Sequence, residues 1–219
     1  NGWETTGKDA TPDIIVINTC GVDQCRENTS MEMIRHLREK HPKARMVVVG
    51  CLAGISPELM AQKQFELLPP KRLDGLDRII RARVPFDTID SHLIGSSLIR
   101  DGDKDTPGKY YIDIGEGCAN KCSYCAIVNS KGFIKSRPPD RIVEEFIHGQ
   151  NAGYRKFSFL ADDCGSYGLD IGTDFAALLN SLLPHVDPYT RLYVHYIEPR
   201  NLLRIYPDIN PDIFGFTAF

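Results

Sequence analysis

No apolar run in the 219 residues approaches the roughly 18 that a membrane-spanning helix requires. That excludes a bilayer as a partner on the strength of any single stretch. The opening residues, NGWETTGKDA, lack a basic flank followed by an apolar core, so they do not read as a secretory leader. Neither sign of charge dominates: 29 acidic side chains face 26 basic ones, for a formal net charge of -3. A global footprint for nucleic acid is thereby absent, although a local basic patch is not excluded. A disulfide framework is missing too. The seven cysteines, Cys20, Cys25, Cys51, Cys118, Cys122, Cys125 and Cys164, are odd in number and gather in two regions. Without a leader, this pattern predicts a reducing compartment, the cytoplasm, with thiols free or bound to metal.

What is present is ordinary for a globular protein of one or two domains: 42% hydrophobic and 25% charged residues. Asp13–Asn18 (DIIVIN) is a short β-branched run and reads as a buried strand. Glu27–His41 sets Met31, Ile34, Leu37 and Arg38 at helical spacing, with Thr29 or Ser30 as the cap. Ala44–Gly50 reads as a second buried strand, and Ser56–Leu68 as a helix opening on Ser-Pro. The βαβα order predicts a small parallel-sheet domain over residues 1–102. Gly95–Lys109 is polar, with Gly and Pro, and reads as a linker with the boundary near Asp103.

A second βα series fills residues 103–219. Strands are expected at Lys109–Gly115, Lys156–Ala161 and Arg191–Ile197, with a further one starting within Asp212–Phe216. Helices are expected at Pro138–Gly153, Phe175–Leu183 and Arg200–Tyr206. The class is α/β: a small parallel-sheet domain followed by an open sheet or a partial barrel, since about four strands fall short of a closed one.

Between the first strand and first helix of that series lies GEGCANKCSYCAIVNSKGFIKSRPP, Gly115 to Pro139. Cys118, Cys122 and Cys125 are spaced C-x3-C-x2-C. Thiolates are soft ligands suited to zinc or iron–sulfur clusters. A structural zinc site needs a fourth protein ligand. The next cysteine is Cys164, and His148 sits inside an expected helix, so no nearby downstream residue completes a tetrahedron. The set suits a cluster with one iron left open, and Gly115 and Gly117 let the backbone fold around it. A zinc knuckle is the alternative.

With Tyr124 ahead of its last cysteine, the loop resembles the signature of radical S-adenosylmethionine enzymes. That resemblance implies a [4Fe-4S] cluster on Cys118, Cys122 and Cys125, whose open iron takes the amino and carboxyl groups of S-adenosylmethionine. It also implies an electron donor such as a flavodoxin or ferredoxin, and cleavage to methionine and a 5′-deoxyadenosyl radical. VINTCGV and VVVGCLAG each put a cysteine just past an expected strand, and they resemble the amino-terminal domain of the methylthiotransferases. This implies a second, auxiliary [4Fe-4S] cluster with Cys20 and Cys51 among its three ligands. Strand ends on one edge of a parallel sheet lie close together, so the two cysteines are expected to converge. The third ligand is expected upstream of Asn1. Cys25 in its place, or no auxiliary cluster, remains open.

The rest of the resemblance is piecewise. KGFIKSRPPDRIVEE is similar to a segment in which Lys131 stands where the family has arginine, and lysine cannot form a bidentate fork. FLADDCGSYGLDIGT follows the second strand of the series, and the resemblance implies Asp162 or Asp163 as partner of the cosubstrate's amino group. Either aspartate could equally be a turn or cap residue. His195 and Glu198, within HYIEP, and Tyr124 are implied cosubstrate contacts, although His195 on its own reads as a core histidine. Cys164 reads as a buried thiol. The implied activity is insertion of a methylthio group at an unactivated C–H, on a tRNA adenosine derivative. Its rivals are a ribosomal-protein aspartate as substrate, another radical S-adenosylmethionine reaction, and a metal-binding module without catalysis.

Overall fold

The computed structural model describes residues 3–4, 7, 10–21, 23–62, 64–84 and 108–218. They fall into two units: Asn1–Ile89 with Lys121–Gly132, and Asp90–Asn120 with Phe133–Phe219. The boundary expected near Asp103 and most of the expected linker lie outside the described residues. The stretch Lys121–Gly132, assigned from sequence to the second domain, clusters with the first unit.

The first unit is built on three parallel strands, β1 (Ile14–Thr19), β2 (Arg45–Gly50) and β3 (Glu66–Leu68), with β2 in the middle. A central parallel strand is covered on both faces, which is why Met46 to Val49 are apolar without alternation and all buried. Met46 and Val48 face Met31 and Ile34 of helix α1 (Gln24–Lys40), while Val47 and Val49 pack with Leu68, Leu76 and Ile79. β1 is less buried than its sequence suggested. Val16 is exposed, because β1 pairs only with β2 among the described residues.

Two helix readings need correction. α1 begins at Gln24 rather than Glu27, and its cap is Asp23, whose carboxylate accepts from Arg26 N at 2.8 Å. Ser30 and Thr29 sit inside the helix. The Ser56–Leu68 helix is shorter than expected. Ser56 does cap a helix, but it spans only Pro57–Ala61, and the chain then turns into β3. Leu67 and Leu68 are held there by parallel pairing with Val48 and Val49, a tertiary contact that local propensity does not report. The short helices α2 (Leu52–Ile55), α3 (Pro57–Ala61), α4 (Leu76–Ile80) and α5 (Ile127–Ser130) complete this unit.

The second unit carries β4 (Lys109–Asp113), β7 (Lys156–Leu160), β8 (Arg191–Val194) and β9 (Thr217–Ala218), all parallel and adjacent in that order. A small antiparallel ladder joins β5 (Gly115–Glu116) to β6 (Lys135–Ser136). Helices α6 (Pro139–Asn151), α7 (Phe175–Leu182) and α8 (Pro199–Ile205) alternate with the strands. Successive strands thus stack side by side without reversal, as in a βα barrel, and the sheet stays open among the described residues. The strand expected within Asp212–Phe216 starts later: Pro211–Gly215 is a 3-10 turn, entered at a Pro after the Asn210 cap.

Alternation sorts the two faces of this sheet. Tyr110, Ile112, Phe157, Phe159, Leu192 and Val194 point to the helices and form the core with Phe146 and Leu178. Phe146 and Phe157 meet with ring centroids 4.5 Å apart. Tyr111, Ser158 and Tyr193 align across the other face, where Lys109 Nζ lies 4.5 Å from the Tyr193 ring.

Candidate functional site

In the first unit, Cys20 and Cys51 leave the same edge of the sheet. Thr19 pairs with Gly50, so each cysteine is the next residue past the last paired position of neighbouring parallel strands. The Cys51 N–H donates to Thr19 O at 3.1 Å. Gly50 makes this approach possible: its φ is +93°, and a Cβ there would stand 2.4 Å from Thr19 O. Ser30 holds the Cys20 backbone from α1, accepting from its N–H at 3.1 Å and donating to its carbonyl at 2.9 Å. The helix residue read as a cap thus anchors a candidate ligand instead. Cys20 is exposed and Cys51 half-buried. Cys25 lies in the first turn of α1, also exposed.

Cys122 and Cys125 belong to this unit as well. Both are half-buried, and a turn joins them through Cys125 N to Cys122 O at 3.1 Å. Tyr124 points outward, 86% exposed. The chain then enters α5, which packs on α2 just past Cys51, and Ser130 Oγ donates to Cys51 O at 3.4 Å. Lys131 caps that helix at its carboxyl end.

Cys118, in the second unit, is buried in a polar net. Its Sγ accepts from Asn120 N at 3.4 Å and from Asn120 Nδ2 at 3.3 Å. Asp163 is the hub. Its Oδ2 accepts from Asn120 Nδ2, Ser166 Oγ and Asn201 Nδ2, each at 2.7 Å. Its Oδ1 accepts from Gly165 N at 3.1 Å and Glu198 N at 2.9 Å. Five donors make a buried carboxylate tolerable without a cation. Both Asp163 oxygens are therefore engaged by the protein itself. Asp162, its neighbour, accepts from Gly117 N at 2.8 Å and so pins the entry to the cysteine loop. Ser166 Oγ also accepts from Ala119 N at 3.2 Å. Asn120, Ser166 and Asn201 were not singled out from the sequence. Asn120 carried a usable signal, lying within the C-x3-C-x2-C loop, whereas Ser166 and Asn201 are brought in only by the fold.

The SRP and SYG segments lock together beside this net. Gly168 N donates to Ser136 Oγ at 2.8 Å, Ser136 N to Asp170 at 2.9 Å, and Tyr167 Oη to Arg137 O at 2.9 Å. Arg137 pairs with Glu145 at 2.7 Å. Gly168 has φ +84°, and a Cβ there would lie 2.5 Å from the Thr173 carbonyl. Burial works against the Asp170 charge, yet the Ser136 hydroxyl and N–H outweigh it and hold the carboxyl below its ordinary range. Burial, reinforced by the negative Asp170, pushes the Tyr167 phenol up to about 12.

Glu198 caps α8, accepting from Asn201 N at 3.1 Å, and the Arg200 guanidinium bonded to it holds its carboxyl below the ordinary range. His195 lies half-buried just past β8, with its carbonyl facing the Cys164 thiol at 3.8 Å. Cys164 is buried, and burial with the nearby Asp163 charge pushes its thiol up to about 12. Cys164 is thus the buried thiol that its sequence context suggested.

None of the seven cysteines is in a disulfide. No group of three or more Cys, His, Asp or Glu side chains stands within reach of one metal ion among the described residues. The donor chemistry nevertheless fits an iron–sulfur ligand at Cys118, because a sulfur receiving two N–H donors is suited to carry thiolate charge. The same-edge placement of Cys20 and Cys51 likewise fits two ligands of one group. A cavity of about 540 Å³ in the first unit lies elsewhere, at the start of β1 between Trp3, Ile14, Val16, Leu37 and His41. No helix among the described residues is long and apolar enough to cross a membrane.

Comparison with known proteins bears on the whole chain. Residues 1–68 match the family described as "Uncharacterized protein family UPF0004". The chain is 29% identical to a probable threonylcarbamoyladenosine tRNA methylthiotransferase of Pyrococcus horikoshii, covering 95% of this chain and 50% of that one. It is 28% identical to the threonylcarbamoyladenosine tRNA methylthiotransferase MtaB of Bacillus subtilis, over 90% of this chain and 46% of the other. It is 30% identical to the ribosomal protein uS12 methylthiotransferase RimO of Francisella philomiragia, over 90% and 47%. Among solved structures, the radical S-adenosylmethionine methyltransferase TsrM of Kitasatospora setae shares the fold, with TM-score 0.51, 15% identity, and coverage of 92% of this chain and 49% of that one. The chain thus spans about half the length of the curated relatives it matches. Over most of its length it is similar to these methylthiotransferases, and its amino-terminal 68 residues match the UPF0004 family.

Proposed function

We propose that the intact protein is a radical S-adenosylmethionine methylthiotransferase acting on a tRNA adenosine derivative, with threonylcarbamoyladenosine the first to test. One observation carries the reading: in a chain similar to such enzymes over nine-tenths of its length, the first cysteine of C-x3-C-x2-C follows β4 as a buried sulfur with two N–H donors. Cys118, Cys122 and Cys125 would hold a [4Fe-4S] cluster, and Cys20 and Cys51 two positions of a second. When bound, that first cluster would supply the electron for reductive cleavage of S-adenosylmethionine.

The chain's own residues then bind and orient. Asp162 fixes the loop entry through Gly117 N, and Asn120 presents N–H groups to Cys118. Tyr124 and His195 remain candidates for contact with the cosubstrate. Glu198, whose carboxylate already bonds Asn201 and Arg200, would act through α8. A flavodoxin or ferredoxin in the cytoplasm would be the electron source. A ribosomal-protein substrate is the second reading, supported by the 30% identity to the Francisella protein.

The test is mass spectrometry of total tRNA nucleosides and of ribosomal protein uS12 from a strain lacking the gene and from the same strain complemented. The expected result is a methylthio mass increment on an adenosine derivative that vanishes on deletion and returns on complementation. Its appearance on uS12 instead would replace the proposed substrate with the second one. Unchanged tRNA and unchanged uS12 would overturn the methylthiotransferase reading.

A further inference from the structure

We propose that Asp163 is a positioning residue, setting which end of the Asn120 amide faces the Cys118 sulfur and thereby the reduction potential of the group bound there. The proposal rests on the reading that Cys118 is a cluster ligand.

The argument is one of donors and acceptors. An ionised carboxylate can only accept. Asp163 Oδ2 lies 2.7 Å from Asn120 Nδ2, so that amide must turn its NH2 group toward residue 163. An NH2 group has two hydrogens, and the second reaches Cys118 Sγ at 3.3 Å. The other end of the amide is fixed in the same sense, because Asn120 Oδ1 accepts from Asn201 Nδ2 at 3.1 Å. Asn201 Nδ2 also donates to Asp163 Oδ2 at 2.7 Å. One acceptor-only group thus dictates the orientation of two amides, and the sulfur receives a donor as the result.

Asp163 is 4% exposed, and both its oxygens are used. It is therefore spent on this net rather than held ready for a cosubstrate ammonium. Donors to a cluster ligand sulfur stabilise the more negative, reduced state and raise its potential. Asp163→Asn keeps the volume but places an NH2 group where Asn120 and Asn201 already present theirs. Relief requires Asn120 to flip, which turns its carbonyl oxygen on the sulfur in place of a donor.

The experiment is redox titration of the reconstituted full-length protein, followed by electron paramagnetic resonance of the radical cluster, in wild type, Asp163→Asn, Asn120→Ala and the double variant. Each single variant is expected to shift the cluster potential to more negative values. The double variant is expected to shift no further than Asn120→Ala, since the effect of residue 163 travels through residue 120. An unchanged potential in Asp163→Asn, or an additive double variant, overturns the proposal. Should Asp163→Asn not fold, Asn120→Leu removes the same donor while leaving Asp163 its other partners, and an unchanged potential there is equally fatal. Wild-type protein that binds no cluster at the loop cysteines would instead refute the reading on which the proposal stands.

Discussion

The thiols of the two units are held in opposite ways. In the first unit Cys20 is exposed, Cys51 half-buried, and the fold grips their backbones, through Ser30, Ser130 and the close pass at Gly50. In the second, Cys118 and Cys164 are buried, and the fold acts on the sulfurs themselves. Cys118 receives two N–H donors, a setting that suits a metal-ligand sulfur. Cys164 faces two carbonyl oxygens and lacks water, which favours the neutral thiol. Four cysteines just past strands therefore have three chemical characters, decided by what the sulfur meets rather than by where the chain puts it.

The sharpest way to break that contrast is by substitution at the cysteines. Cys118→Ala in the full-length protein is expected to abolish 5′-deoxyadenosine formation from S-adenosylmethionine, measured by chromatography under reducing, anaerobic conditions. The Cys20→Ala, Cys51→Ala double variant is expected to keep 5′-deoxyadenosine formation while losing sulfur insertion. Persistent 5′-deoxyadenosine in the first variant, or full methylthiolation in the second, would show that the two sets of cysteines do not divide the chemistry this way.

The next effect is on stability. Phe157 is fully buried, packed on Phe146 and Tyr110 in the second unit's core. Phe157→Ala is expected to cost about 3–5 kcal/mol, read from the denaturant midpoint. Val16 in the first unit is 44% exposed, so Val16→Ala is expected to cost less than about 1 kcal/mol. Equal losses would mean that β1 is covered in the intact protein.

A pH series sharpens the contrast at the buried thiol. Cys164 is raised from an ordinary 9.0 to about 12, and Tyr167 from 10.0 to about 12. A raised value means that the folded state holds the neutral form. The stabilisation is complete below pH 9 and fades as the pH climbs toward 12. At about 1.4 kcal/mol per pH unit, the expected loss across that window is at most roughly 7 kcal/mol, about 4 from Cys164 and about 3 from Tyr167. Hydrogen exchange should report it in peptides of β7 and α7, and a flat profile there would contradict the burial of these groups. The smallest effect is local to the first unit. Asp23→Ala removes the α1 cap and is expected to cost about 1 kcal/mol, with faster exchange confined to the first turn. No change would mean that another group caps the helix.

Much of the strand framework was legible in the sequence. DIIVIN, ARMVVVG, KYYIDIG, KFSFLA and RLYVHYI all contain strands, because β-branched and aromatic residues bounded by turn residues leave few other solutions. The amphipathic helices at Pro139–Asn151 and Phe175–Leu182 were legible for the same kind of reason. The cysteine spacing carried the candidate chemistry. Other features depended on partners far away in sequence. Glu66–Leu68 is a strand only because β2 offers it an edge, and Ser30 became an anchor only because α1 passes beside Cys20.

What the sequence determined by itself was the period of each element and the clustering of soft ligands in one loop, both local properties of neighbouring residues. Tertiary structure alone decided the role of the aspartate pair. Asp162 and Asp163 are adjacent and chemically alike, yet one accepts from the Gly117 N–H, while the other gathers donors from residues 120, 165, 166, 198 and 201. A carboxylate's function follows from which donors and charges surround it at a few ångströms. Here those surroundings are assembled from three separate stretches of chain, so no reading of adjacent letters could assign them.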